Sequence, residues 1–429
     1  MTMPFDSLPA QTPPSKIAIF LPSLTAGGVA RVMVQLAQAF VESGHTVDLV
    51  LCRNQGEFMG KLPPQVRVLT LKLRSVWVSR VLLMLKNFKA FRVLFLPILC
   101  SLSPPKSLAF LPELIQYLRQ EQPGVLLAAK THANLVALWA TQLAKTSNRV
   151  VISERTTLSD IIKTSNKWRW KFILPVLAHE YPKADRIITV SNGVNEELAI
   201  HTGLPPQKIT TIYNPLLIQT IRTKSLEPIN HPWLQEKGTS PIILGVGRLV
   251  PQKDFATLLK AFSHVRRSQP AHLVIIGEGR LRSELEALAQ SLGIDKDVWM
   301  PGFTDNPYAF MGRASVLVLS SICEGLPNVL LEALACGCPI VSTDCPSGPS
   351  EILQNGTVGP LVPVGDVQAL AKAILSTLEW PPSRTILQAR AADFDIREIS
   401  RQYLAVLLGE RGTEPSKAAL HKGQDDQKA

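Results

Sequence analysis

Apolar residues along this chain fall into short blocks, separated by longer stretches in which they recur at helical spacing. Lys16–Leu24 (KIAIFLPSL) is the first block and reads as a buried strand. A small loop, Thr25–Gly28, leads into Val29–Ser43. There Val29, Val32, Met33, Leu36, Phe40 and Val41 share one helical face, and Gly44 closes the helix. Thr46–Cys52 (TVDLVLC) is the next strand. Strand, helix and strand with short links make a βαβ unit, so a parallel sheet is expected. The rhythm returns after residue 240. Pro241–Val246, His272–Ile276, Val298–Met300, Val316–Ser320 and Pro339–Thr343 read as strands, with helices over Phe255–Arg267, Gly279–Leu292 and Asn328–Cys336. Leu226–Thr239 (LEPINHPWLQEKGT) has no apolar periodicity and reads as a linker between two βα-type halves, 16–225 and 240–392. The predicted class is α/β.

Composition supports a globular body with loose ends. The chain has 429 residues, enough for two cores, with 46% hydrophobic and 18% charged residues. The tail 410–429 has little to bury and is expected to be disordered. The net charge of +11 is uneven: residues 1–225 carry 26 Lys+Arg against 12 Asp+Glu, leaving 19 against 22 for the rest. A basic first half calls for an acidic partner such as phosphate, anionic lipid or nucleic acid. The first fifteen residues lack a secretory pattern, no uncharged stretch reaches a bilayer-spanning length, and six cysteines do not suggest a disulfide framework. The expectation is a cytoplasmic, reduced protein.

Four segments carry candidate chemistry. In Ser320–Glu332 (SSICEGLPNVLLE), Glu324 lies in a loop past a strand and Glu332 lies in the second turn of the following helix. Ligands of parallel sheets collect at the carboxyl ends of strands, and the amides at a helix start can hold a diphosphate. Spacing alone leaves Glu332 equally readable as a solvated helix residue. In Val246–Lys253 (VGRLVPQK), Arg248 and Lys253 follow a buried strand, where two cations can neutralise a departing diphosphate; they read equally as surface cations. Gly27 and Gly28 sit in a strand-to-helix turn where backbone can approach a phosphate or sugar. Neither that turn nor Gly277–Glu278–Gly279 matches the dinucleotide pattern. His132, in KTHAN at the end of an apolar run, reads either as a helix-start hydrogen bonder or as a catalytic group.

Taken in order, these segments resemble glycosyltransferase family 4, the large retaining group that includes sucrose synthases and many bacterial lipopolysaccharide-, glycolipid- and polysaccharide-building enzymes. The resemblance covers nearly the whole chain. It runs through Gly27–Gly28, His132, Ala184–Gly193 (ADRIITVSNG), Tyr213–Asn214–Pro215, Gly247–Arg248–Leu249, Gly277–Glu278–Gly279, Glu324–Gly325–Leu326–Pro327 to Glu332, then Gly337 and Pro339. It implies a GT-B fold, two Rossmann-like domains facing each other across a cleft. The first, 16–225, would take the acceptor and the second, 240–392, the nucleotide-sugar. A segment over 393–409, helical in Asp395–Leu408, would cross back to the first domain. It also implies that Arg248 and Lys253 hold the diphosphate, Glu332 the ribose and Glu324 the donor sugar. Gly277, Gly325, Leu326, Asn328 and Val329 would line the donor, with His132 supporting the transition state and the Gly28 backbone near the phosphate. Retention by same-face attack needs no nucleophile. One departure is that many members place Glu before the first-loop Arg, where this chain has Gly27–Gly28–Val29–Ala30–Arg31; this bears on the acceptor.

No metal or other cofactor is expected, because Arg and Lys can replace a cation at the diphosphate. Asp295–Lys296–Asp297 and Asp393–Phe394–Asp395 read as surface charges, and Cys336 and Cys338 as small buried residues in preference to a zinc site. From Phe58 to Pro112 nine Lys or Arg and no acid alternate with Trp77, Leu82, Phe88, Phe91 and other apolar residues. Such a segment suits the interface of an anionic membrane, at about 1 kcal/mol per cation. Lys86, Lys89 and Arg92 here, with Lys167, Trp168 and Arg169, are the candidate acceptor and membrane contacts; an ordinary core-facing helix with a solvated basic face would show the same pattern. No nucleic-acid module is recognised. The resulting expectation is a metal-independent retaining hexosyltransferase, peripheral on the inner face of the membrane. It would use a UDP-sugar in preference to a GDP-sugar and a lipid-linked saccharide, glycolipid or polysaccharide acceptor. A nucleotide-sugar epimerase and a non-catalytic nucleotide-sugar-binding subunit are the alternatives.

Overall fold

The structure is a computed structural model that describes residues 14–25, 27–86, 106–159, 162, 173–235 and 240–409. The expected disordered tail, 410–429, lies outside the described residues. By internal contacts the chain divides into two compact units. One takes in described residues up to Ser153, Pro175–Ile188 and Arg397 onward; the other takes in described residues of 154–174 and Thr189–Ile396.

The first sheet has seven strands: β1 (Lys16–Leu21), β2 (Thr46–Leu51), β3 (Arg67–Thr70), β4 (Val125–Ala129), β5 (Arg149–Glu154), β6 (Arg186–Thr189) and β7 (Ile209–Thr211). Their order is β3-β2-β1-β4-β5-β6-β7. β1 pairs in parallel with both β2 and β4, so the strand order reverses beside it. β1 stops at Leu21, three residues short of the expected block, because Pro22 has no N–H to continue the ladder. Leu24 instead donates to Gln55 O at 3.1 Å. Helices α1 (Gly28–Glu42), α2 (Val76–Lys86), α3 (Leu111–Glu121) and α4 (Thr131–Ala144) accompany this sheet.

Asp48 stitches part of the first unit together. It stands opposite Arg67 in the β2–β3 register. Arg67 donates to both of its carboxylate oxygens, at 2.7 and 2.6 Å, and Tyr117 of α3 donates at 2.7 Å. Lys16 Nζ lies 3.5 Å away and also pairs with Glu121, which receives Arg67 as well. Burial pushes the Asp48 carboxyl up, but the bonds from Arg67 and Tyr117 and the charges of Lys16 and Arg67 outweigh it, so the net shift is downward. Bonds from Arg67 and Lys16 hold the Glu121 carboxyl down at about 2.

The second sheet has six strands: β8 (Ile242–Val246), β9 (His272–Ile276), β10 (Val298–Gly302), β11 (Val316–Leu319), β12 (Ile340–Thr343) and β13 (Leu361–Val362). Their order is β10-β9-β8-β11-β12-β13. All the strand pairings seen are parallel. Both faces are covered. Leu244, Val274, Ile276, Leu317 and Leu319 enter one core, while Ile243, Leu273, Ile275, Val316 and Val318 enter the other. That two-sided burial is why these strands read as unbroken apolar runs. Helices α5 (Asn192–Thr202), α6 (Phe255–Ser268) and α7 (Asn328–Cys336) belong to this unit, and α8 (Ile396–Leu408) joins the first unit from Arg397.

The stretch expected as a plain linker packs against the second sheet. Pro232–Gln235 forms one helical turn, and Leu234 is buried in the core. His231 stacks on Trp299 with centroids 3.8 Å apart, and Trp233 stacks on His272 at 4.0 Å. These contacts come from isolated rings at irregular spacing, which periodicity does not register. Among the described residues no helix is long and apolar enough to cross a membrane.

The Asp48 cluster predicts a pH dependence with a definite sign. Carboxyls depressed in the folded state bind protons first in the unfolded chain, so their stabilisation is complete above the ordinary carboxylate range. It is lost as pH falls from about 4 towards 2. Asp48→Asn should cost about 1–3 kcal/mol at pH 7 and flatten the decline on acidification, as read from urea midpoints at pH 7 and pH 3.

Candidate active site

In the second unit, β8 and β11 are neighbours, paired at Ile243–Val316 and Leu244–Leu317. Being parallel, they end on the same side, and the loops after them meet. The chain leaving β8 passes Gly247–Arg248–Leu249 and makes a short 3-10 turn, Pro251–Lys253. Asp254, at φ 43°, then caps α6 by accepting from the Thr257 amide at 3.3 Å and its hydroxyl at 2.6 Å. The chain leaving β11 runs through Ser320–Pro327 into α7.

Lys253 and Glu324, 71 residues apart, meet here at 2.5 Å (Nζ to Oε1). Ser321 Oγ donates to the same Oε1 at 2.7 Å. Among the described residues Oε2 accepts no hydrogen bond, so one oxygen of this largely buried carboxylate is left for a ligand. Three more bonds lock the loops: Gln252 Nε2 to Cys323 O at 2.8 Å, the Ile322 amide to Gln252 O at 2.9 Å, and Ser320 Oγ to Lys253 O at 2.8 Å. Arg248 is exposed and has no ion pair among the described residues. Glu332 is 5% exposed, so it is not a solvated helix residue. Burial, reinforced by the Glu324 charge, pushes the Cys345 thiol up to about 12. α7 starts at Asn328 with no side-chain cap and no acid in its first turn, so its leading amides are not neutralised from within the helix. Val329, its second residue, is half-buried.

A second tier of polar groups holds the 324–328 loop. Arg155, itself buried, donates to Asn214 Oδ1 at 2.5 Å; Asn214 Nδ2 donates to Asn328 Oδ1 at 2.6 Å and to Leu326 O at 3.4 Å. Ser347 Oγ donates to Gly325 O at 2.9 Å and lies 2.6 Å from Ser191 Oγ. Glu351 accepts from the amides of Asn192 and Gly193 at the start of α5, at 2.8 and 3.0 Å, and from Tyr213 OH at 3.0 Å. Burial first, then Glu351, pushes the Tyr213 phenol up. Sequence reading picked out the segments containing Ser191, Tyr213, Asn214 and Ser321 without giving these residues a task, and it missed Arg155, Ser347 and Glu351. Arg155, the first residue past β5, could have been found as a polar side chain just past an apolar strand, whereas Ser347 and Glu351 lie four and eight residues past β12 and carry no such signal.

The glycines separate into two kinds. A Cβ on Gly277, at φ 140°, would lie 1.9 Å from Gly247 O, and one on Gly279 would lie 2.3 Å from Leu249 O. Backbone packing of one loop on the other therefore demands these glycines. Gly325 is similar, 2.3 Å from Arg155 O. Gly27, at φ 151° before α1, would meet nothing within 4 Å. Packing does not explain it.

The remaining predicted residues lie elsewhere. Gly27, Gly28 and His132 belong to the first unit, Gly28 opening α1 and His132 as the half-buried second residue of α4. Before it, Lys130 is held at φ 85°. Lys86 ends α2, its side chain outside the description; Lys89, Arg92, Lys167, Trp168 and Arg169 lie outside the described residues. Asp297 pairs with Arg266 at 2.9 Å, and Asp393 with Arg390 at 2.6 Å. Cys336 and Cys338 are buried, and burial raises both thiols.

Comparison with known proteins gives this geometry a context. The family profile "Glycosyl transferases group 1" matches residues 228–394, and "Glycosyltransferase Family 4" matches residues 26–216. The chain is 35% identical over 282 residues, 64% of its length and 74% of the relative's, to a Campylobacter jejuni protein. That protein is N-acetylgalactosamine-N,N'-diacetylbacillosaminyl-diphospho-undecaprenol 4-alpha-N-acetylgalactosaminyltransferase. It is 31% identical over 190 residues, 43% of this chain and 50% of the other, to the lipopolysaccharide 1,6-galactosyltransferase of Escherichia coli. HepE of Anabaena in complex with UDP superposes with a TM-score of 0.71 at 18% identity, covering 92% of this chain and 100% of that one. The lipopolysaccharide outer core galactosyltransferase WaaB gives 0.66 at 20%, covering 92% and 99%. At these identities the structures establish the fold, GT-B.

Gly277→Ala should lower stability by about 2 kcal/mol or more, because both the clash and the positive φ oppose it. Gly60→Ala, where a Cβ meets nothing within 4 Å, should leave the denaturant midpoint within about 0.5 kcal/mol of the parent.

Proposed function

We propose that this chain, which belongs to glycosyltransferase family 4 and is a glycosyltransferase, moves a hexosyl residue from a UDP-sugar to a lipid-linked saccharide with retention of configuration. One observation carries the donor reading. A buried carboxylate, Glu324, has one oxygen tied to Lys253 and Ser321 and the other unengaged among the described residues, at the carboxyl end of β11, and the loop after the neighbouring β8 carries Arg248, exposed and with no ion pair among the described residues. A sugar hydroxyl can donate to the unengaged oxygen, while Arg248 and Lys253 face the diphosphate. Their fixed charges stabilise the negative charge that develops as the nucleoside diphosphate leaves. Glu332, in α7, would receive a ribose hydroxyl, and Gly325, Leu326, Asn328 and Val329 would shape the loop and helix start around the donor. His132 would serve as a catalytic group. With cations of its own at the leaving group, the reaction would run without a metal ion.

Two relatives support the choice of substrates. The structural neighbour HepE is seen with UDP, and the C. jejuni relative is named for a diphospho-undecaprenol acceptor. The basic first half of the chain suits an anionic lipid surface, with the protein peripheral on the inner face of the membrane.

The test is transfer from labelled UDP- and GDP-sugars into membrane lipids with excess EDTA present. One UDP-sugar should be incorporated, and the product's anomeric configuration, read by NMR, should match the donor's. Glu324→Ala should reduce transfer about 100-fold or more while the protein stays folded. Conversion of donor without any acceptor would point to an epimerase, and UDP binding without turnover to a binding subunit.

A further inference from the structure

In the first unit a cavity of about 190 Å³ opens where β1 and β2 end, lined among others by Ser23, Cys52, Arg53, Lys106, Ser107 and Phe110. It is far larger than the ~10–15 Å³ that one water needs. It lies beside the strand at which the sheet order reverses, where ligands of parallel sheets collect. Its floor is firmly built. The Cys52 amide donates to Leu21 O, the Arg53 amide to Pro22 O and the Leu24 amide to Gln55 O, each at 3.1 Å. A Cβ on Gly56 would lie 2.0 Å from the Leu24 carbonyl, so the loops after β1 and β2 touch backbone to backbone.

The lining has a chemical bias. Among the described residues no acid contributes to it, and its two cations, Arg53 and Lys106, are exposed with no ion pair. Ser107 is 8% exposed, yet its Oγ has no hydrogen-bond partner among the described residues. A buried hydroxyl left unmatched costs stability unless a ligand or water completes it. Cys52 and Phe110 close the cavity with neutral, buried walls. Two free cations, an unmatched hydroxyl and no competing carboxylate select a compact polyanion.

We propose that this cavity is a diphosphate subsite in which Arg53 and Lys106 pair with the phosphate oxygens, Ser107 Oγ donates to one of them, and the diphosphate is the one that joins an acceptor saccharide to its lipid. This rests on the lipid-linked acceptor proposed above. The cations cover the charge that the lipid carries, and the fixed loops set where the saccharide starts.

The test uses the full chain with UDP in excess, so that inorganic pyrophosphate cannot occupy the donor site. Calorimetric titration should show pyrophosphate binding that weakens about 30-fold or more in Arg53→Ala/Lys106→Ala and about 3- to 10-fold in Ser107→Ala. Arg53→Lys should keep most of it, and UDP affinity should be unchanged in all of them. Phosphatidylcholine vesicles carrying a long-chain isoprenyl diphosphate should float more parent protein than plain vesicles, and the double variant should lose that difference. Pyrophosphate binding that is absent, or equal in parent and double variant, overturns the subsite. Loss of pyrophosphate binding with an unchanged vesicle preference overturns the lipid as its source. Failure of UDP itself to bind would count against the transferase reading and leave the pyrophosphate comparison standing.

Discussion

Lys253 and Glu324 are brought together by sheet geometry before any chemistry is considered. β8 and β11 lie side by side and point the same way, so whatever follows each strand emerges at one edge. An antiparallel neighbour would have sent one loop to the far side. Once both loops share an edge, an ammonium and a carboxylate 71 residues apart can close to 2.5 Å and tie them. Gln252, Ser320 and Ser321 add bonds across the same seam. The same edge carries the start of α7, held in place by Asn214 and Ser347. A charge pair of this kind contributes modestly to stability, because its desolvation offsets much of its attraction. Its larger effect is to fix where one carboxylate oxygen points.

The parts of the molecule that repeat were legible in the sequence. β8, β9, β11 and β12 are short apolar runs buried on both faces, and the helices between them carry one apolar stripe. Their expected bounds differ from those seen by a few residues, the largest at the helix start placed at Gly279, where the structure begins it at Arg282. Gly279 is instead spent on the contact with Leu249. Glu324, Arg248 and Lys253 could be picked out because each sits just past a strand. What could not be read was which groups hold them. Arg155 reaches Asn214 across 59 positions, and Ser191 reaches Ser347 across 156. No local spacing encodes such a pair.

The segment from Leu226 shows the other limit of pattern reading. It has neither helical nor strand period, yet His231 and Trp233 each find a flat partner on the second sheet. Ring stacking needs one residue in the right place, whereas periodicity needs several. The orphaned Ser107 in the first unit is equally silent in sequence, since an unmatched hydroxyl is defined by its surroundings.

The paired rings also give the protein a built-in optical probe. Trp233 and Trp299 are partly covered and each lies against an imidazole, while Trp77 and Trp380 are largely open to water. Burial lowers the titration point of both His231 and His272. Emission from the second unit's stacked indoles should therefore be blue-shifted relative to the open ones. It should be quenched as acid charges the imidazoles, so a fall in the blue emission reports on these two stacked pairs.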